Sequence, residues 1–271
     1  MTIKSRNIFL LILLVTSLCL LLADATLLFY NLYKGTFIPP DTFFDQKIPF
    51  FFIRGYSFSA VILSLFIFLV YVSVWIYYIY VQFEKTQSTE IIFFALFLCG
   101  CLTESARLYI PLFDLWHSLS AFLVFSGRLV LFGRTLAPLA LLFDAVFSGI
   151  EQRQYVERNL LILFVVSIMT ALLIPLDTAV VLPNCCIRWG EGRAFLIMRI
   201  LILAVTAVSL FINSFMLGNK EKAPYGFLSL AAGYEICCYA TSYPAAAAGG
   251  LLLFAGTAVY LGDLHRQYLW K

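Results

Sequence analysis

Apolar stretches long enough to cross a lipid bilayer recur along most of this 271-residue chain. A span needs roughly 20 apolar residues to cross about 30 Å of hydrocarbon. Clear candidates are residues 8–30, 57–82, 91–112, 159–180 and 194–217. Inside hydrocarbon a backbone must satisfy its own hydrogen bonds, so such runs are expected as helices. Composition agrees, with 62% of residues hydrophobic and 12% charged. A soluble domain has about half apolar and about a quarter charged residues, and a soluble fold of this length would leave too much apolar surface in water. The expected fold is an all-α integral membrane bundle, one membrane domain over residues 1–271.

Two further regions are too long for a simple span. Residues 116–150 would make a helix of about 50 Å. The reading is a span at 116–137 and an interfacial extension past Pro138. Residues 226–262 would reach about 55 Å. Pro244 lies near their middle, in "TSYPAAAAGG", which suits a tight reversal between spans 226–242 and 246–263. The total is eight transmembrane helices, with both termini on one side.

The distribution of basic residues tests that threading. With the N-terminus inside, the inner segments hold Lys4, Arg6, Lys85, Arg153, Arg158, Lys220, Lys222, Arg266 and Lys271. The outer loops hold Lys34, Lys47, Arg54, Arg188 and Arg193. Nine against five favours cytoplasmic termini, whereas seven spans would give seven against seven. A second reading of the N-terminus stays open. Lys4 and Arg6 precede an apolar run and "ADA" at 23–25, the pattern of a cleaved signal peptide; cleavage would leave seven spans. The expected location is a cell membrane, a bacterial inner membrane, with the lipid bilayer as the first partner.

Net charge is +3, too small to point to nucleic acid, and the basic residues are scattered among short loops. The seven cysteines lie mostly in apolar runs, where Cys acts as a small hydrophobe. Cys185 and Cys186 are adjacent, a strained geometry for a disulfide. Their spacings match neither zinc nor haem attachment, so no cofactor is expected. Trp75, Trp116 and Trp189 fall near span ends, as interfacial anchors do. The apolar segment 39–52 is read as an outer loop lying on the membrane or capping the bundle, with contact to a partner as the alternative.

The halves 1–150 and 151–271 carry similar stretches in the same order. "NIFLLILLVTS" (7–17) resembles "NLLILFVVS" (159–167), and "RGYSF" (54–58) resembles "EGRAF" (191–195). "FEK" (83–85) matches "KEK" (220–222), with Glu84 and Lys85 opposite Glu221 and Lys222. As the offset shrinks along the chain Glu104 then corresponds to Glu235, and "FSGRLVLFG" (125–133) resembles "FAGTAVYLG" (254–262). Chance similarity among Leu- and Phe-rich helices is the competing explanation. A true duplication would give two parallel four-helix halves.

Charged side chains inside the spans mark the candidate site, because an ionisable group at mid-bilayer faces a partner or a wet cavity. Glu104 and Arg107 are three residues apart and share a helix face. Arg128 and Arg134 stand about two turns apart on the next span and are read as roughly sharing a face. Arg199 lies about a turn into the sixth span and Glu235 near the middle of the seventh. The expected polar cavity is lined by Glu104, Arg107, Arg128, Arg199 and Glu235. Its carboxylates would carry protons or a cation, or its arginines would hold an anion by forked hydrogen bonds. The competing account is a static ion pair, with Arg128 and Arg134 reaching toward headgroups.

Transport or binding of a small solute is the function these features favour. A receptor-like sensory module working through a separate partner, and an accessory subunit of a membrane complex, are the alternatives. No nucleophile–base pair or catalytic motif points to an enzyme.

Overall fold

The computed structural model describes residues 3–35, 55–83, 89–116, 121–147, 156–216 and 222–269. The apolar segment 39–52, His117 and the charged residues Glu84, Lys85 and Glu221 lie outside them.

The described chain is a bundle of long antiparallel helices. They are α1 (Ile3–Lys34), α2 (Phe58–Gln82), α3 (Glu90–Leu102), α4 (Tyr109–Leu112), α5 (Ala121–Phe147), α6 (Val156–Leu173), α7 (Gly192–Met216), α8 (Ala223–Tyr239) and α9 (Tyr243–Leu269). A 3-10 stretch, Thr103–Leu108, joins α3 to α4 in one rod. Seven of the rods are long and apolar enough to cross a membrane. The eighth, α8, has 17 residues. Pro224 stands in its first turn, where a missing N–H costs nothing. Residues 240–242 make the reversal before Pro244, so 226–262 is a helical hairpin, as its sequence suggests.

Contacts between elements identify two ends of the bundle. At one end, the Arg6 guanidinium donates to the Phe83 carbonyl at 2.7 Å, and the Phe83 and His265 rings stand 5.3 Å apart. The first and last described turns of the chain therefore share an end. At the other end, Asn31 of α1 donates to the Leu112 carbonyl at 3.1 Å, and Ser57 N donates to the Thr241 carbonyl at 2.9 Å.

Two helix pairs are drawn together by glycine. A Cβ on Gly233 of α8 would stand 2.4 Å from the Leu253 nitrogen of α9. A Cβ on Gly133 of α5 would stand 1.7 Å from the Thr103 hydroxyl at the end of α3. Without a hydrophobic force between helices in lipid, such close backbone approach supplies much of the packing. In addition, α2 packs on α9, and α5 on both α6 and α7. Most of α3 is buried, whereas α1 and α6 bury about a fifth of their spans.

Three expectations are corrected. First, α5 runs unbroken from Ala121 through Pro138 to Phe147, with no separate interfacial extension. The Pro138 ring leaves the Arg134 carbonyl without its helical donor, yet the helix continues through it, most of its span buried among its neighbours. Second, the fifth span stops at Leu173, and 176–181 is a strand. Pro175 disfavours helix at the residue before it, and the Thr and Val residues that follow suit a strand. This strand, β1 (Leu176–Val181), pairs antiparallel with β2 (Ile187–Trp189), setting Leu176 against Trp189 and Val181 against Ile187. The Asn184 side chain accepts the Cys186 N–H at 3.3 Å in the turn. Third, Trp75, Trp116 and Trp189 are buried. Trp116 meets Phe58 edge-on at 6.1 Å, and Trp75 packs against Tyr71 and Tyr78.

The β-hairpin sits in the end of the bundle opposite the termini. Ile187 touches α5 so closely that a Cβ on Gly127 would lie 3.0 Å from its Cδ1. Tyr56, just before α2, donates to the Pro183 carbonyl in the turn at 3.2 Å. The hairpin also meets the buried charges, with the Trp189 ring of β2 over the Arg134 guanidinium.

Candidate functional site

The 3-10 stretch explains how two opposite charges enter the span. The Thr103 hydroxyl donates to the Gly100 carbonyl at 2.7 Å, and the Ser105 hydroxyl donates to the Leu102 carbonyl at 2.8 Å. Both compete with the α-helical ladder. Pro111 cannot donate to the Arg107 carbonyl four residues earlier. The chain tightens to three residues per turn, which eclipses side chains at i and i+3. Glu104 and Arg107 are such a pair, and Arg107 Nη1 donates to Glu104 Oε2 at 2.9 Å.

A second arginine completes this node. Arg134 of α5 donates from Nε to Glu104 Oε1 at 2.6 Å and from Nη2 to Oε2 at 3.0 Å. This is the forked geometry in which guanidinium binds carboxylate best. Arg107 and Arg134 also donate to the Cys238 carbonyl in the last turn of α8, at 2.8 and 3.1 Å. That carbonyl belongs to the negative end of a helix dipole. Glu104, Arg107 and Arg134 are at most 1% exposed.

The second node adjoins the first at Cys238. Arg199 Nη2 of α7 donates to Glu235 Oε1 of α8 at 2.7 Å and approaches Cys238 Sγ at 3.8 Å. On the other side, Cys238 Sγ lies 3.8 Å from Glu104 Oε1. Arg199 Nη1 reaches the Tyr239 hydroxyl at 3.4 Å. Aromatic faces enclose the guanidiniums, Tyr234 at 5.4 Å from Arg199 and Trp189 at 5.1 Å from Arg134. Cation–π contacts of this kind stabilise a desolvated charge. Arg199 is fully buried, whereas the Glu235 side chain keeps 19% exposure.

Several polar atoms of this centre have no hydrogen-bond partner among the described residues. They are Arg107 Nε and Nη2, Arg199 Nε, Glu235 Oε2, the Tyr234 hydroxyl and Trp189 Nε1. Buried polar atoms are paired in the great majority of cases, so a concentration of such atoms in one place is a property of this centre. The hairpin thiols do not balance its charge. Burial pushes Cys185 up to about 12, only partly offset by Arg107. Burial likewise raises Cys186 despite Arg134 and Arg107. Both are neutral thiols at physiological pH.

The structure therefore brings together four of the five residues expected in the cavity, Glu104, Arg107, Arg199 and Glu235. Arg128 is elsewhere. It donates to the Ala171, Leu172 and Ile174 carbonyls, the last two at 2.9 and 2.6 Å, and so caps the C-terminal end of α6. Arg128 and Arg134 are six residues apart, roughly 600° of helical rotation, which leaves them about 120° apart around α5. They do not share a face, and Arg134, not Arg128, reaches the centre. Sequence reasoning also missed Tyr239, Trp189 and the Cys238 carbonyl. For Arg134 the rotation about α5 was an available signal, while a backbone carbonyl leaves none.

Among the described residues no three His, Cys, Asp or Glu side chains gather as a metal site. No protein-family model matches the chain, and no curated protein is significantly similar to it. Seven long apolar helices around a buried charged centre fit a polytopic membrane protein.

Proposed function

We propose that this protein binds and moves a small solute through the seam between α3, α5, α7 and α8. The observation that carries this reading is the group of unpartnered atoms around Glu235, Arg199 and Arg107. A purely structural ion-pair network gains most when every lone pair and proton is satisfied. This one satisfies Glu104 fully and leaves its other half open to a solute or to water. The position of the hairpin β1–β2 at one end of the seam, with Trp189 over Arg134, supports reading the arrangement as a state closed on that side.

In the full proposal all eight rods cross the membrane, both termini are cytoplasmic, and the hairpin faces outward, in the inner membrane of a bacterium. The duplication belongs to the same proposal. Its supports are the glycine-bound pairs α3–α5 and α8–α9, the cross-packing of α2 on α9 and of α5 on α7, and the placement of an acid, Glu104 or Glu235, in each half.

The test is a charge-displacement recording on proteoliposomes during jumps of salts, amino acids and sugars. The expected result is a current transient that depends on one solute class and changes in size and half-saturating concentration in Glu235→Gln while the protein remains monodisperse. Identical traces from wild type and Glu235→Gln across all three classes overturn the proposal, and stable co-purification with one fixed partner would point to the accessory-subunit role instead.

A further inference from the structure

We infer that the solute held at this centre is a small monovalent anion, seated against Arg107 and Arg199 beneath the hairpin; this rests on the solute-binding reading above. Charge balance leads to it. Three guanidiniums, Arg107, Arg134 and Arg199, face two carboxylates, Glu104 and Glu235, at the centre. The Cys238 carbonyl accepts from two of the arginines, and a helix C-terminus offers about half a negative charge. A positive excess of about half to one charge remains at a buried site, where uncompensated charge is strongly unfavourable. The neighbouring thiols Cys185 and Cys186 do not ionise to meet it.

The unpartnered atoms have the same bias. Arg107 Nε and Nη2, Arg199 Nε and Trp189 Nε1 can only donate. The Tyr234 hydroxyl does either, and Glu235 Oε2 alone can only accept. Donor excess and positive excess coincide in the same seam. One negative charge closes the balance, and a divalent anion would overshoot it. Arg107, Arg199 and Tyr234 have no exposed surface, which limits the size of what fits. Halide, nitrate and formate match this description, and a bulky anion such as gluconate does not.

The test is the melting temperature of the purified full chain in detergent, titrated with sodium chloride, nitrate or formate at constant ionic strength set by sodium gluconate. Saturable stabilisation by at least one small anion is expected. Glu235→Gln removes a competing negative charge and should tighten apparent anion affinity roughly tenfold, since each tenfold corresponds to about 1.4 kcal/mol. Trp189→Phe keeps the ring and removes one donor, and should weaken affinity several-fold. Stabilisation by sodium or potassium or a neutral solute, with no response to any small anion, overturns the anion assignment and leaves solute binding standing. No response to any of them overturns both. Weaker anion binding in Glu235→Gln also overturns the anion assignment, because a site built for a cation or a proton loses affinity with that carboxylate.

Discussion

The two buried glutamates invite direct comparison. Glu104 lies in a 3-10 turn on a rod buried along most of its length, and both its oxygens are bonded by arginines from two elements. Glu235 lies in α8, keeps 19% side-chain exposure, and uses one oxygen for one arginine. Both are carboxylates facing guanidinium, but only the first is saturated. Saturation makes Glu104 a fixed node that ties α3, α5 and the end of α8 together. Glu235 keeps one oxygen without a hydrogen-bond partner among the described residues, and under the proposed function it is the half of the centre that changes partners. Two buried ion pairs in one bundle thus differ in how far they are satisfied, and that difference sets what removing each should cost.

The comparison breaks most directly at Glu104. Glu104→Gln leaves Arg107 and Arg134 buried without a carboxylate, and breaking a buried pair costs roughly 3–5 kcal/mol. The expected outcome is a large fall in melting temperature and in the monodisperse yield from detergent. A variant as stable as wild type would show that Glu104 is not the fixed node. The dominance of Glu104 also predicts that Arg134→Lys fails to restore the forked geometry, because an ammonium is a point donor.

A smaller effect is expected at the second node. Glu235→Gln removes one charged hydrogen bond, about 1.5–3 kcal/mol, and the aromatic faces around Arg199 absorb part of it. The protein should remain folded. Two double-mutant cycles sharpen the contrast, Glu104 with Arg134 and Glu235 with Arg199. Coupling in the first should exceed that in the second by roughly 1 kcal/mol or more, within the range seen for residues in one network. Equal couplings would erase the distinction between the nodes.

How much of this was legible in the sequence depends on the distance over which each signal acts. Apolar run length is a one-dimensional quantity set by bilayer thickness, so the membrane class, most span positions and the reversal at Pro244 could be read directly. Glu104 with Arg107 was also legible, being three residues apart on one helix. The partners across helices were not. Arg134 meets Glu104 across 30 residues, and Arg199 meets Glu235 across 36. Helix rotation and packing decide such pairs, and spacing does not encode them. The hairpin was hidden for another reason: Leu176–Val181 is apolar enough to extend the preceding span by composition, and only Pro175 and the Pro183–Asn184 turn mark it off.

Arg128 provides the smallest prediction and the control for the rest. It carries the same charge as Arg134 on the same helix, six residues away, but bonds the end of α6 and, among the described residues, no carboxylate. Arg128→Gln should cost about 0.5–1.5 kcal/mol, the worth of hydrogen bonds partly replaced by the amide or by water. It should leave both coupling energies between the nodes unchanged, since additivity holds for sites that share no partners. The measurement is the Glu235 and Arg199 cycle repeated in the Arg128→Gln background. An altered coupling there would mean that the capped end of α6 and the charged seam move as one unit. Arg128 would then act on the centre through α6 and α5 without touching it, and the line between fixed and working halves would have to be drawn around a larger part of the bundle.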